Sequence, residues 1–166
     1  MVQRQQFALT LFGLLDSGKR IINLDETWLN ETSFFRKTWA RKDGLGNARL
    51  STVSPRLSLI AAIDTEGKGW FCLSHATTDS NVIALFLEHL SKQLDLESPG
   101  WRNDTVLLWD NAPYHRSAET KVVVKKLGIP VIYTGPYSYS GVPIELLFAG
   151  LKLGELNTEG WPTGKR

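Results

Sequence analysis

Apolar and polar positions along the chain follow two alternating periods, and the switches between them mark its elements. In "FALTLFGLL" (7–15), Phe7, Leu11, Leu14 and Leu15 sit at i, i+4, i+7 and i+8, one face of a helix. "RIINLDETW" (20–28) reads as a short buried strand, with Ile21, Ile22 and Leu24 leading to Asp25. "RLSLIAAID" followed by "EGKGWFCLSH" reads as a hairpin that turns between Thr65 and Lys68. The helical period returns in "DSNVIALFLEHLSKQL". Asp79 or Ser80 can cap that helix, and Val82, Leu85, Phe86, His89 and Leu90 mark its packed face.

Beyond it, "TVLLWD" (105–110) is a strand, "SAETKVVVKKLG" a helix ending at Gly128, and "IPVIYT" another strand. The loop "GPYSYSGV" leads to Pro143, which suits the first turn of a last helix, "PIELLFAGLKLGEL". Residues 30–56 are polar, basic and glycine-containing, predicting loop with a short strand near "KTWAR". Antiparallel pairing comes first and β-α-β units follow, so the expected fold is a mixed α/β sheet flanked by helices. The crossover into "TVLLWD" can place that strand beside "RIINLD", with Asp25 and Asp110 ending their strands at one edge.

Composition narrows this little. A chain of 166 residues with 42% hydrophobic and 22% charged positions is that of an ordinary globular domain with a substantial core. No apolar run approaches the roughly 18 residues of a membrane span, so no membrane partner is expected. Cys72 is the only cysteine, which excludes an intrachain disulfide and fits a reducing compartment. The net charge of +2 announces nothing, but its distribution does. Between Arg36 and Arg56 stand six basic residues against one acid, Asp43, a strip suited to phosphates or, equally, to solvent.

The chemistry-bearing residues are carboxylates. Asp25 and Asp110 each follow an apolar strand, and Glu145 lies in the first turn of the helix that Pro143 opens. Taken singly, each can be a cap or a turn residue. Converging, they would repel one another unless cations stood between them. Hard oxygen donors suit Mg²⁺ or Mn²⁺ rather than zinc. Two such ions roughly 3.5–4 Å apart can activate a water and stabilise the leaving oxygen of a phosphodiester. Other constellations fail: Cys72 and His75 have no second pair for a zinc site, and "GLGN" lacks the end of a phosphate loop. No nucleophile elbow is present either.

"LDETW", "LLWDNAPYH" and "GPYSYSGVPIELLFAGLK" together resemble the catalytic domain of mariner-superfamily transposases, including their bacterial insertion-sequence relatives. The resemblance covers roughly residues 20–153, and the thirty-four residues between Asp110 and Glu145 are a typical spacing for that family. It implies a DDE-type enzyme on a ribonuclease-H-like fold, with a mixed five-stranded sheet flanked by helices. The acids would be Asp25, Asp110 and Glu145, holding two Mg²⁺ ions for which Mn²⁺ substitutes. The implied partners are transposon-end and target DNA, and the resemblance admits a homodimer. Residues 1–19 would lead into a catalytic domain at 20–157, with a flexible tail at 158–166. Too few residues precede Asp25 for the family's helix-turn-helix region, so a catalytic core is expected. A eukaryotic source would imply the nucleus, and any other the cytoplasm.

The chain departs from the family at Tyr137-Ser138-Tyr139, where Tyr-Ser-Pro is usual, and at Val142, where an asparagine is usual. Those departures motivate the alternative of an inactive or domesticated relative that binds DNA or protein. Asn111 and His115 are expected to support the acids. Asn111 could hold a metal-bound water or cap the turn. Strand alternation turns Glu26 to the face opposite Asp25 and gives it a structural role. Lys152 lies two helical turns beyond Glu145, on the same face, and could touch the DNA backbone near the cut. Trp39, Arg41 and Lys42 in the basic strip could hold DNA by stacking and phosphate contacts.

Overall fold

The computed structural model describes residues 2–29, 57–75, 77–135 and 142–153. The expected short strand near "KTWAR", the basic strip, and Tyr137, Ser138 and Tyr139 lie outside the described residues, as do Trp39, Arg41 and Lys42.

In chain order the elements are α1 (Val2–Asp16), β1 (Arg20–Leu29), β2 (Leu57–Asp64), β3 (Gly69–Ser74), α2 (Ser80–Glu97), α3 (Trp101–Asp104), β4 (Thr105–Trp109), α4 (Ala118–Leu127), β5 (Val131–Tyr133) and α5 (Pro143–Leu153). Among the described residues the predicted strands and helices are present, and the single-turn α3 is an addition. The strands form one sheet in the order β3-β2-β1-β4-β5. β1 pairs antiparallel with β2, and β2 with β3, whereas β1–β4 and β4–β5 are parallel. β1 therefore occupies the centre, where the antiparallel and parallel halves meet.

Side chains alternate across a strand, so β1 serves both faces of the sheet. Ile22 and Leu24 enter a core with Ile60, Leu107 and Trp109, closed by Ile83, Phe86, Leu87, Leu90 and Leu94 of α2. Ile21 faces the other way, into a core with Leu59, Ala61, Val106 and Leu108. There Ile144 and Phe148 of α5 and Phe7, Leu11 and Leu14 of α1 cover the sheet. The structure is thus a helix–sheet–helix sandwich whose two cores share β1, β2 and β4.

Local signals explain where the elements stop. Asp79 caps α2 by accepting the N–H groups of Asn81 and Val82, and Ser117 caps α4 by accepting that of Thr120. α4 ends in Gly128, whose φ of 65° is the left-handed conformation that closes many helices. Asp64 organises the β2–β3 turn by accepting the N–H groups of Glu66 and Lys68. The packed face of α2 is rotated from the expected one. Ile83, Phe86, Leu87, Leu90, Ser91 and Leu94 are buried, whereas Leu85 and His89 are exposed. A helix this apolar offers two overlapping stripes, and contact with Trp101 and the sheet selects the one that continues to Leu94.

Candidate active site

Asp25 does not end its strand. β1 continues four residues further and stays paired with β2, Asp25 standing opposite Ala61 and Leu29 opposite Leu57. What ends is the parallel pairing with β4, whose last partners are Asn23 and Leu108. Two residues onward in that register, Asp25 and Asp110 come level at the sheet edge, Asp110 being the first residue past β4. β1 thus supplies a carboxylate from the middle of a paired strand.

Asn23, Asp25 and Thr27 share one face of β1 by alternation, and the two neighbours of Asp25 both hold α5. The Asn23 side chain is buried, donates to Leu108 O at 3.4 Å and accepts the Ile144 N–H at 3.1 Å. A strand residue thereby satisfies one of the free amides in the first turn of α5, next to Glu145. At the other end of the helix, Lys152 Nζ donates to Thr27 Oγ1 at 2.5 Å. α5 is tethered on both sides of Asp25. Sequence reasoning missed Asn23, because one asparagine inside an apolar strand carries no signal of its partner.

The charges of Asp110 and Glu145 both reach the Asp25 carboxyl. Burial pushes the Asp25 carboxyl up to about 7, against the pull of the Glu26 N–H, which Asp25 Oδ1 accepts at 2.8 Å. The negative charges of Glu26, Asp110 and Glu145 push it further in the same direction. Burial also opposes charge on Asp110, but hydrogen bonds from His115 and the Ala112 N–H outweigh it and hold that carboxyl below its ordinary range. Among the described residues, no three or more His, Cys, Asp or Glu side chains stand close enough to enclose an ion. The all-oxygen donor set fits a hard divalent cation, in a looser arrangement than a filled centre requires.

On the opposite face of β1, Glu26 has partners. Its Oε1 lies 2.9 Å from His115 Nε2, and Tyr114 donates to its Oε2 at 3.0 Å. His115 is wholly buried, and its Nδ1 lies 2.5 Å from Asp110 Oδ1. Burial disfavours an imidazolium there, but Asp110 and Glu26 more than compensate and raise the His115 pKa above its usual value. Asn111 is exposed and secures the same turn, donating to Thr134 O at 2.5 Å and accepting from Arg116 at 3.0 Å. The expectation that Glu26 points away from Asp25 holds; that it reaches Asp110 through His115 was not legible.

The sheet order and the acids at the end of its parallel register define a ribonuclease-H-like nuclease fold. The chain belongs to the DDE superfamily endonucleases, whose family model matches residues 20–164. It is similar to the Mos1 mariner paired-end complex with Mn, at a TM-score of 0.68 and 21% identity over 90% of this chain. The Mos1 complex with the left transposon end gives a TM-score of 0.65 and 22% identity over the same share. The chain spans 47% and 46% of the lengths of those two proteins. The isolated catalytic domain of Mos1 mariner transposase gives 0.64 and 21% identity, with 90% of this chain and 67% of that one covered. No curated protein matches the chain.

Proposed function

We propose that this chain is the catalytic core of a DNA transposase, cutting phosphodiesters at transposon ends and joining the freed ends to target DNA. The observation that carries the reading is the placement of Asp25 level with Asp110 and under the influence of Glu145. The Mos1 structures, which contain Mn or Mg and transposon-end DNA, support the same reading for cofactor and partner.

Asp25, Asp110 and Glu145 would hold two Mg²⁺ ions, with Mn²⁺ as a substitute. Such ions, when bound, supply an activated water or hydroxyl and neutralise charge developing on the phosphodiester. The chain's own contribution is position. Asp25 is built into a strand that stays paired with β2, Asn23 sets the start of the helix that carries Glu145, and the 110–115 turn fixes Asp110. The freed 3′-hydroxyl would then attack target DNA in line, with catalysis by orientation and charge stabilisation rather than by a covalent protein intermediate. Lys152, held at Thr27, and the strip containing Trp39, Arg41 and Lys42 would meet the DNA backbone.

Calorimetric titration of Mn²⁺ into the native chain, Asp110→Ala and Glu145→Ala tests the reading. Binding to the native chain that is lost in both variants is the expected result. Binding that survives both substitutions, or absence of binding by the native chain, overturns it.

A further inference from the structure

Glu26 has no place in the three-acid reading, yet its carboxyl group is almost wholly buried. Its side chain is 6% exposed and that of His115 fully buried. Both Glu26 oxygens are engaged, Oε1 with the His115 ring and Oε2 with the Tyr114 hydroxyl. The imidazole is clasped between rings, with centroids 4.1 Å away at Trp109 and 4.5 Å away at Tyr114, the latter edge-on. One residue of the clasp is held from α4, where Thr120 Oγ1 donates to Tyr114 O at 2.7 Å. The result is a rigid arm that runs from the core holding Trp109 to one oxygen of Asp110.

That oxygen, Oδ1, receives both the imidazole and, at 2.9 Å, the Ala112 N–H. Among the described residues Oδ2 receives no hydrogen bond, so the arm fixes the rotation of the carboxylate while leaving one oxygen unclaimed. Taking Glu26 and His115 out of water is costly, and apolar side chains of similar volume would fill the space at least as stably. The arm ends on one of the acids at the sheet edge. We propose that Glu26, acting through His115, is a positioning residue for Asp110. It sets the carboxylate orientation for divalent-cation binding, and the inference rests on the metal-holding role given to Asp110 above.

The partners that orient a ligand are typically worth about 10–100-fold in metal affinity, which makes the arm measurable without any DNA substrate. Mn²⁺ affinity is read by calorimetry on the full chain, with circular dichroism confirming the fold of each variant. Glu26→Gln and His115→Ala are each expected to weaken Mn²⁺ binding about 10-fold or more. His115→Asn, whose amide can still donate to Asp110, is expected to recover part of the His115→Ala loss. Adding Glu26→Gln to His115→Ala should cost clearly less than Glu26→Gln costs the native chain, because its effect on the Asp110 orientation runs through the ring and only its charge near Asp25 remains to be lost. A merely structural Glu26 would lower stability and leave the affinity of the folded chain unchanged, which overturns the proposal, as would additive losses in the double variant. Should Glu26→Gln not fold, the two His115 variants carry the same test: equal affinities in both overturn the proposal. Asp110→Ala separates the two readings. Mn²⁺ binding that is lost there but intact in Glu26→Gln overturns the arm alone, whereas binding indifferent to Asp110→Ala overturns both.

Discussion

The Asn23 side chain accepts the backbone N–H of Ile144 at 3.1 Å, across 121 positions of sequence. This bond joins the central strand to the first turn of α5, and so relates Glu145 to Asp25. Ile144 itself is fully buried in the core that α5 shares with the sheet. A similarly sized apolar residue at position 23 would leave that amide without an acceptor in a dry environment. Asn23→Leu is expected to lower stability by about 1–3 kcal/mol, read by urea denaturation. It is also expected to weaken Mn²⁺ binding, and a variant unchanged in both would show that the packing of Ile144 alone seats the helix.

The pH dependence of stability follows from Asp25. Its carboxyl is raised from 3.8 to about 7, so the folded chain holds a proton that the unfolded chain has released. The stabilisation is complete below about pH 4 and is lost as the pH climbs to about 7, amounting to roughly 2–4 kcal/mol. His115, also raised, contributes in the same direction, its share disappearing as the pH passes its folded value. Asp110 runs oppositely, since its lowered carboxyl stabilises the fold above the unfolded value of 3.8, and that share is lost on further acidification. Denaturation midpoints without metal should therefore fall between pH 4 and 7, and Asp25→Asn should flatten the decline. A native profile that rises across this interval would contradict the burial of Asp25.

Lys152 separates a DNA contact from an internal tether. Its ammonium donates to Thr27 Oγ1 at 2.5 Å and is half-buried. If it also meets a phosphate, Lys152→Met should reduce the slope of log affinity against log salt by about 1. Fluorescence anisotropy with a labelled duplex reads this directly. An unchanged slope, accompanied by a loss of stability, would leave Lys152 the tether role alone.

A structural control lies at the far end of β1. Arg20 bonds Asp64 through Nε at 2.7 Å and Nη2 at 2.5 Å, and the Asp64 side chain is fully buried. Glu97 adds a further contact to Arg20 at 3.4 Å and also pairs with Lys68. Arg20→Met should destabilise the chain by about 3 kcal/mol, because it strands a buried carboxylate. Its Mn²⁺ affinity should match that of the native chain. A large fall in affinity would mean that the site reports general loosening, and would remove the meaning of losses seen in other variants.

The elements were legible because their signals are local. The apolar run in "RIINLDETW", the Asp79 cap, Gly128 and Pro143 act within a turn or two of themselves, and the structure bears them out. The level placement of Asp25 and Asp110 was foreseen from chain order. The end of β1 was not, since nothing in "ETWL" reveals that β2 continues to pair with it. The α2 stripe was misjudged by a fraction of a turn because Leu85 is as apolar as Leu87, and only the partner surface distinguishes them. The roles of Asn23 and Glu26 were illegible for a related reason. Their partners, Ile144 and His115, lie 121 and 89 residues away, and polarity inside a strand does not name its acceptor or donor.

Because β1 runs on past Asp25, the acids differ in how firmly the backbone beneath them is locked. Asp25 sits in a ladder flanked by β2 and, up to Asn23, by β4, whereas Asp110 lies in a turn and Glu145 near the first turn of a helix. Amide hydrogens of β1 that bond β2 should exchange with solvent only when that ladder opens, while those around Asp110 and Glu145 exchange through smaller openings. In rising denaturant the site would therefore come apart one acid at a time, with Asp25 the last to leave.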